Sequence, residues 1–164
     1  MILIGLGANL PTERGGPQAT LAAGLDALEA EGVRVLARSR WYRSAPVPVS
    51  DQPWYVNAVA SVATRLGPAE LLRLLHRIEA RFGRQRRARN EARPIDLDLL
   101  DFDGLVLEQD GLILPHPRLH ERAFVLLPLA ELAPGWRHPR LGQTVAELIA
   151  ALRPEAMAEP MPPE

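Results

Sequence analysis

Residues 93–104, RPIDLDLLDFDG, decide how this chain is read. Ile95, Leu97 and Leu99 alternate with Asp96 and Asp98, the period of two that marks a β-strand with one buried and one polar face. The pattern predicts a strand over Ile95 to Phe102. Strict alternation puts Leu100 and Phe102 on the aspartate face, so that face turns apolar after two carboxylates. The wet side of an ordinary amphipathic strand would not turn so soon. Side chains at i and i+2 share a face, about 6.7 Å apart at their Cα atoms. Two carboxylates at that spacing can jointly hold hard divalent cations, which take oxygen ligands and complete their shell with water and substrate phosphate.

Directly upstream lies GRQRRARNEAR, residues 83–93, with Arg84, Arg86, Arg87, Arg89 and Arg93 inside ten positions. Guanidinium groups keep their charge and grip phosphate oxygens bidentately. Such a loop can be plainly solvated, or can contact RNA. Running straight into paired carboxylates, it matches the layout of phosphoryl transfer, in which acid-held cations and arginines surround a polyphosphate.

Working outward, the rest of the chain supplies the frame. MILIGLGA reads as a buried first strand, followed by a helix over TLAAGLDALEAEG with Leu21, Leu25 and Leu28 in one stripe and Gly32 as its stop. VRVLARSRWYR, from Val33, reads as a single half-buried strand. Residues 43–54 form a proline-stiffened loop, and YVNAVASVATR returns to strand. GPAELLRLLHRIEARFG is the clearest helix: Leu71, Leu74, Leu75, Ile78 and Phe82 line one side, and Gly83 ends it. Beyond Phe102, Asp103-Gly104 and Asp110-Gly111 are hairpin signals flanking short strands. A helix is expected over 119–133 despite Pro128, and a last one over TVAELIAAL. The ending RPEAMAEPMPPE, residues 153–164, lacks apolar periodicity and is expected to be disordered, leaving one domain over 1–152. The order β-α-β-β-α-β predicts an α+β fold with a ferredoxin-like core.

Composition bounds the rest. A length of 164 residues suits one domain, and a formal charge of −1 argues against a general nucleic-acid or membrane-surface binder. With no cysteine, thiolate zinc sites, disulfides and cysteine nucleophiles are excluded, which fits a cytoplasmic enzyme. All 19 basic residues are arginine, which removes lysine Schiff bases and the P-loop lysine. No signal peptide or membrane span is read. GLGANL, residues 5–10, begins like a dinucleotide fingerprint, but Leu10 stands at the third glycine, so it reads as a turn after the first strand.

Four further residues could complete a pocket. Asn57, with Tyr55 on its face, offers an amide suited to the edge of an amino-amide heterocycle, and Tyr55 and Phe124 could sandwich such a ring. The alternative makes Tyr55 and Phe124 core and Asn57 a cap at a bulge. His116 could hold phosphate or assist proton movement, or be incidental with His120.

GRQRRARNEARPIDLDLLDF, YRSAPVPVSDQPWYVNA and LPHPRLHERAFVLLPLAELAP, in this order, resemble the 6-hydroxymethyl-7,8-dihydropterin pyrophosphokinase (HPPK) family, from GLGANL to about residue 150. The resemblance implies a monomeric three-layer α/β/α sandwich elaborated from the ferredoxin-like core. It implies transfer of the β,γ-pyrophosphoryl group of ATP to the pterin hydroxymethyl oxygen, releasing AMP, in folate biosynthesis. Through it Asp96 and Asp98 become ligands of two Mg²⁺ ions. Glu79 becomes a nucleotide contact. Arg84 and Arg93, with Arg86 and Arg89 beside them, become phosphate clamps. His116 and Arg122 would meet the triphosphate, and Ile113 would lie near adenine. Ser44, Ala45, Val47, Tyr55, Asn57 and Phe124 would line the pterin pocket. The chain departs from the family pattern at Asn90, where a tryptophan is common, and at Pro117, where some members carry an aromatic. Two rivals stand beside this reading. A ferredoxin-like RNA-binding module would use the arginine loop but not the aspartates; a two-metal phosphohydrolase would use water as acceptor.

Overall fold

The structure, a computed structural model, describes residues 1–46, 50–83 and 94–162. Its main sheet is antiparallel. Strand β1 (Ile2–Ala8) lies between β5 (Asp96–Phe102) and β4 (Tyr55–Ala63). Beyond β4 come two successive short strands, β2 (Arg34–Arg38) and β3 (Tyr42–Ser44), and β3 pairs in turn with β8 (Ala158–Pro160). Taking β2 and β3 together, the core order is fourth, first, third, second, the arrangement that antiparallel βαββαβ chains produce.

Helices cover both faces. α1 (Pro17–Ala30) and α2 (Pro68–Arg81) press Leu21, Leu28, Leu71, Leu74, Leu75 and Ile78 onto Ile2, Ile4, Leu6, Ala60 and Leu97. Each leucine buried this fully contributes about 2 kcal/mol by removal from water. α3 (Ala123–Leu132) and α4 (Val145–Ala150) build a second core on the opposite face from Val125, Leu126, Leu129, Val145 and Leu148 against Leu3, Val59 and Leu100. The expected α/β/α layering is the observed one.

Several sequence expectations need correction. The strand expected from Val33 onward is broken at residues 39–41, because the Ser39 hydroxyl oxygen accepts the Val59 N–H at 3.1 Å where a ladder bond would continue. The helix expected over 119–133 is a 3₁₀ turn (Leu119–Glu121) and then α3, separated by extended backbone at Arg122 (φ −110°, ψ 109°). Asp110-Gly111, both at positive φ, joins β6 (Leu107–Gln109) to β7 (Leu112–Leu114). Asp103-Gly104 has the same handedness but only ends β5, since β6 pairs with β7 rather than with β5. Gly5 and Gly7 lie inside β1, paired on both sides, as the strand reading of MILIGLGA has them; the turn reading of GLGANL holds only beyond Ala8.

The tail is the largest revision. Instead of being disordered, Ala158–Pro160 adds a strand beside β3, and Met161 packs against the first core while its N–H donates to the Trp41 carbonyl at 2.8 Å. Three residues bounded by proline carry no period that sequence could reveal; the docking is supplied by an open sheet edge.

Candidate functional site

On β5, the ladder with β1 shifts register between Leu3 and Ile4, so Leu99 pairs with Ile4 and Asp101 with Leu3. Leu100 is the inserted residue of this bulge. The shift moves Phe102 to the α1/α2 core, correcting its expected place beside the aspartates, while Leu100 stays on their face in the second core. The bulge also turns Asp101 toward Trp136, whose indole N–H donates to Asp101 Oδ2 at 2.8 Å. Asp101 is therefore a buried structural carboxylate, and Asp96 and Asp98 are the half-buried pair that remains on the open part of the face.

That open part has a glycine floor. Gly7 pairs with Asn57 on one side and Asp96 on the other; Gly5 lies between Val59 and Asp98 in the same way. Without side chains on β1, the amide of Asn57 and the two carboxylates flank a shallow trough, closed at one end where α3 covers Leu3, Val59 and Leu100. A Cβ at Gly7 would lie 3.1 Å from Asn57 Nδ2. The sequence carries the signal, since glycines two apart inside an apolar strand mark a close approach.

Beside the trough, Ser44 donates its hydroxyl to Asn57 Oδ1 at 2.7 Å, and both residues are buried. The Asn57 Nδ2 lies on the Gly7 side, over the trough. Tyr55 stands opposite Ser44 in the ladder, on the Asn57 face. Phe124 packs on the rim of the second core, with the Arg122 guanidinium 5.4 Å from its ring centre. Ala45 follows Ser44 and is half-buried. The loop toward β4 is tied down by Asn9, whose amide donates to Gln52 Oε1 at 3.1 Å and to the Pro53 carbonyl at 3.2 Å.

The cationic side comes from the segment after β7. The His116 N–H donates to the Leu100 carbonyl at 2.9 Å, fastening this segment to β5. The Arg118 N–H donates to His116 Nδ1 at 3.2 Å. A neutral imidazole accepting there carries its proton on Nε2. Burial pulls the His116 pKa down to about 4, with Arg122 and Arg118 reinforcing and Asp96 opposing, so the ring is neutral at physiological pH. Burial also lowers the Arg122 pKa, against the pull of Asp98 and Asp96, yet a guanidinium stays charged. Arg118, which the sequence reading did not single out, thus belongs to the same electrostatic neighbourhood. A cavity of about 300 Å³ adjoins His116, lined by Ile113, Pro117, His120, His138, Arg140 and Leu141 among others.

The sequence-predicted residues do not all converge. Asp96, Asp98, Tyr55, Asn57, Ser44, Phe124, His116 and Arg122 gather around the trough, and Ile113 lines the neighbouring cavity. Glu79 lies behind β5 on α2, only 2% exposed, its Oε2 accepting the Leu97 N–H at 2.8 Å between the two aspartates. Val47, Arg84, Arg86, Arg87, Arg89, Asn90 and Arg93 lie outside the described residues.

A trough with two neighbouring carboxylates on one strand face and arginines beside them has the chemistry of a phosphoryl-transfer site on an α+β sheet. The comparisons with known proteins specify which. The sequence profile of the 7,8-dihydro-6-hydroxymethylpterin-pyrophosphokinase (HPPK) family matches residues 3–134. The 2-amino-4-hydroxy-6-hydroxymethyldihydropteridine pyrophosphokinase of Methylorubrum extorquens is 42% identical over 94% of each chain. That of Pseudomonas aeruginosa is 42% identical over 92% of this chain and 90% of its own. Among solved structures, an HPPK-DHPS triple mutant of Plasmodium falciparum superposes with a TM-score of 0.70 at 16% identity, which shows the fold; it covers 91% of this chain, and this chain spans 43% of that longer one. This chain belongs to the HPPK family, the pyrophosphokinases of folate biosynthesis.

Proposed function

We propose that the chain transfers pyrophosphate from ATP to 6-hydroxymethyl-7,8-dihydropterin, giving AMP and the pterin diphosphate, with the trough of β1, β4 and β5 as the reaction surface. Family membership supports this reaction, and the RNA-binding alternative finds no support in the comparisons. The observation that carries the site assignment is the ladder row Asn57–Gly7–Asp96. It sets a heterocycle-reading amide and a metal-type carboxylate on opposite sides of one glycine.

In this reading the pterin edge meets Asn57 and Ser44, with Tyr55 and Phe124 against its ring faces. Ala45 and Val47 are assigned to the pterin pocket on the family resemblance. Asp96 and Asp98 fit two Mg²⁺ ions by donor chemistry: two half-buried carboxylates, all oxygen, no competing nitrogen or sulfur ligand on that strand. Bound there, Mg²⁺ would neutralise triphosphate charge and lower the barrier to attack. The residues do the rest. Glu79 holds the backbone between the two carboxylates, and fixes their stagger. His116, a neutral N–H donor through Nε2, binds phosphate oxygen without adding charge. Arg122, desolvated and charged, offsets negative charge as the bond between the α and β phosphates breaks, and Arg118 adds to the same field. Arg84, Arg86 and Arg93 are assigned phosphate contacts, and Ile113 the adenine, on the family resemblance. The chain is taken to act as a monomer in the cytoplasm on these two small molecules; its formal charge of −1 argues against nucleic-acid or membrane-surface partners. AMP release from ATP should depend on hydroxymethyl-dihydropterin and yield the pterin diphosphate. ATP hydrolysis at the same rate without pterin would instead make water the acceptor and overturn the proposal.

A further inference from the structure

β3 is three residues long, and it carries Ser44 at its end. One of its sides pairs with β4 and the other with β8, which sets Ser44 opposite Ala158, Arg43 opposite Glu159 and Tyr42 opposite Pro160. Around that ladder the tail is fastened three times. Glu159 forms an ion pair with Arg43, the Met161 N–H bonds to the Trp41 carbonyl, and the Met161 side chain packs into the first core. These anchors lie immediately before, within and opposite β3. A three-residue edge strand has little stability of its own, since its outer N–H and C=O groups would otherwise turn to water and its end would fray.

The consequence runs to the pocket. Ser44 spends its hydroxyl proton on Asn57 Oδ1, and that bond selects which end of the amide faces a ligand. If β3 frays, the amide of Asn57 loses its orienting partner and can present oxygen where nitrogen stood. We infer that the C-terminal strand β8 is a specificity-positioning element for the heterocycle half of the site: by holding β3 in register it fixes Ser44, and through Ser44 the orientation of Asn57. Among the described residues, the bonds of this chain (Glu159 to Arg43, Met161 to Trp41, Ser44 to Asn57) involve neither the aspartates nor the His116 segment, so β8 is expected to act on the pterin half of the site more than on the ATP half. The inference rests on the proposed placement of the pterin at Asn57.

The test uses the full chain. Glu159→Arg sets two arginines against each other on the exposed side of the ladder and leaves both cores untouched. The pterin KM should rise about two- to fivefold, in keeping with the modest worth of an exposed ion pair, with the ATP KM unchanged. Arg43→Glu combined with Glu159→Arg should restore the pterin KM. Hydrogen exchange of the amides at 42–44 should quicken in the single variant and recover in the swap. A chain ending at residue 156 should show a larger pterin-specific rise, and adding Ser44→Ala to it should cost little more, because both changes break one linkage. An unchanged pterin KM in Glu159→Arg with quickened exchange, an equal rise in both KM values, or additivity of Ser44→Ala with the truncation would overturn the inference. The swap decides the matter even if the truncated chain fails to fold. Absence of pterin-dependent AMP in the wild type would refute the proposed function instead, and the exchange data would still report whether β8 holds β3.

Discussion

Two glycines on one face of β1, two positions apart, should respond oppositely to the same methyl group. At Gly5 a Cβ would lie 3.4 to 3.5 Å from three atoms of the Leu100 side chain, which is ordinary contact. At Gly7 it would lie 3.1 Å from Asn57 Nδ2, and Asn57 would have to give by a few tenths of an ångström. Asn57 has little room to do so, because its Oδ1 is held by Ser44 at 2.7 Å in a buried setting. Replacing glycine by alanine inside a strand gains about 0.5–1 kcal/mol in either case. Gly5→Ala should keep that gain. Gly7→Ala should lose it and more, since breaking the Ser44–Asn57 bond costs about 1 kcal/mol, rising to about 3 kcal/mol if the amide oxygen is left buried without a partner. In binding, a misplaced amide worth about 1–2 kcal/mol raises the pterin KM roughly five- to thirtyfold. Urea unfolding followed by tryptophan fluorescence, with steady-state kinetics at varied pterin, separates the two variants. Equal stability of the two, together with an unchanged pterin KM in Gly7→Ala, would refute the role assigned to the glycine floor.

Gly24 on α1 faces Ile95, the residue immediately before β5, even more tightly: a Cβ there would fall 2.7 Å from Ile95 Cδ1. Gly24→Ala gains about 1 kcal/mol of helix propensity but crowds the end of the Ile95 side chain, a cost of up to about 3 kcal/mol through overpacking; the net change should be a loss of at most about 2 kcal/mol, and Ile95→Val in the same chain should shift urea midpoints back toward the propensity gain. The His116 pKa of about 4 lies below the ordinary histidine value of 6.5, so between pH 6.5 and 4 the unfolded chain binds the proton that the folded chain refuses. Stability should therefore fall as pH drops through that window, with no His116 contribution above it. His116→Asn should flatten the loss between pH 7 and 5, while an unaltered pH profile would show that the ring is not held neutral.

Much of this molecule could be read from its residues. The stripe of Leu71, Leu74, Leu75 and Ile78 found α2 because a long amphipathic period is set locally, and the alternation in β5 found both the strand and the carboxylate pair. What escaped depends on partners distant in sequence. The Leu100 bulge exists because β5 must match β1, and it moves Phe102 to the other face without any local mark. The strand at Ala158–Pro160 exists because β3 offers an edge. Arg118 entered the site through the fold of the segment around His116, its backbone fixing the imidazole tautomer. The split of the second strand depends on Ser39 reaching Val59 across the sheet. The glycine floor was legible in principle, but only once β1 was known to be paired on both sides.

In the proposed site, Asp96 and Asp98 hold the divalent ions of the nucleotide. Crystals grown with Mn²⁺ and a non-hydrolysable ATP analogue, measured for anomalous scattering from manganese, test it directly. Metal peaks are expected within direct coordination distance, roughly 2 Å, of carboxylate oxygens of both residues, with the triphosphate beside His116 and Arg122. Peaks bound to the triphosphate alone, with both carboxylates uncoordinated, would contradict it.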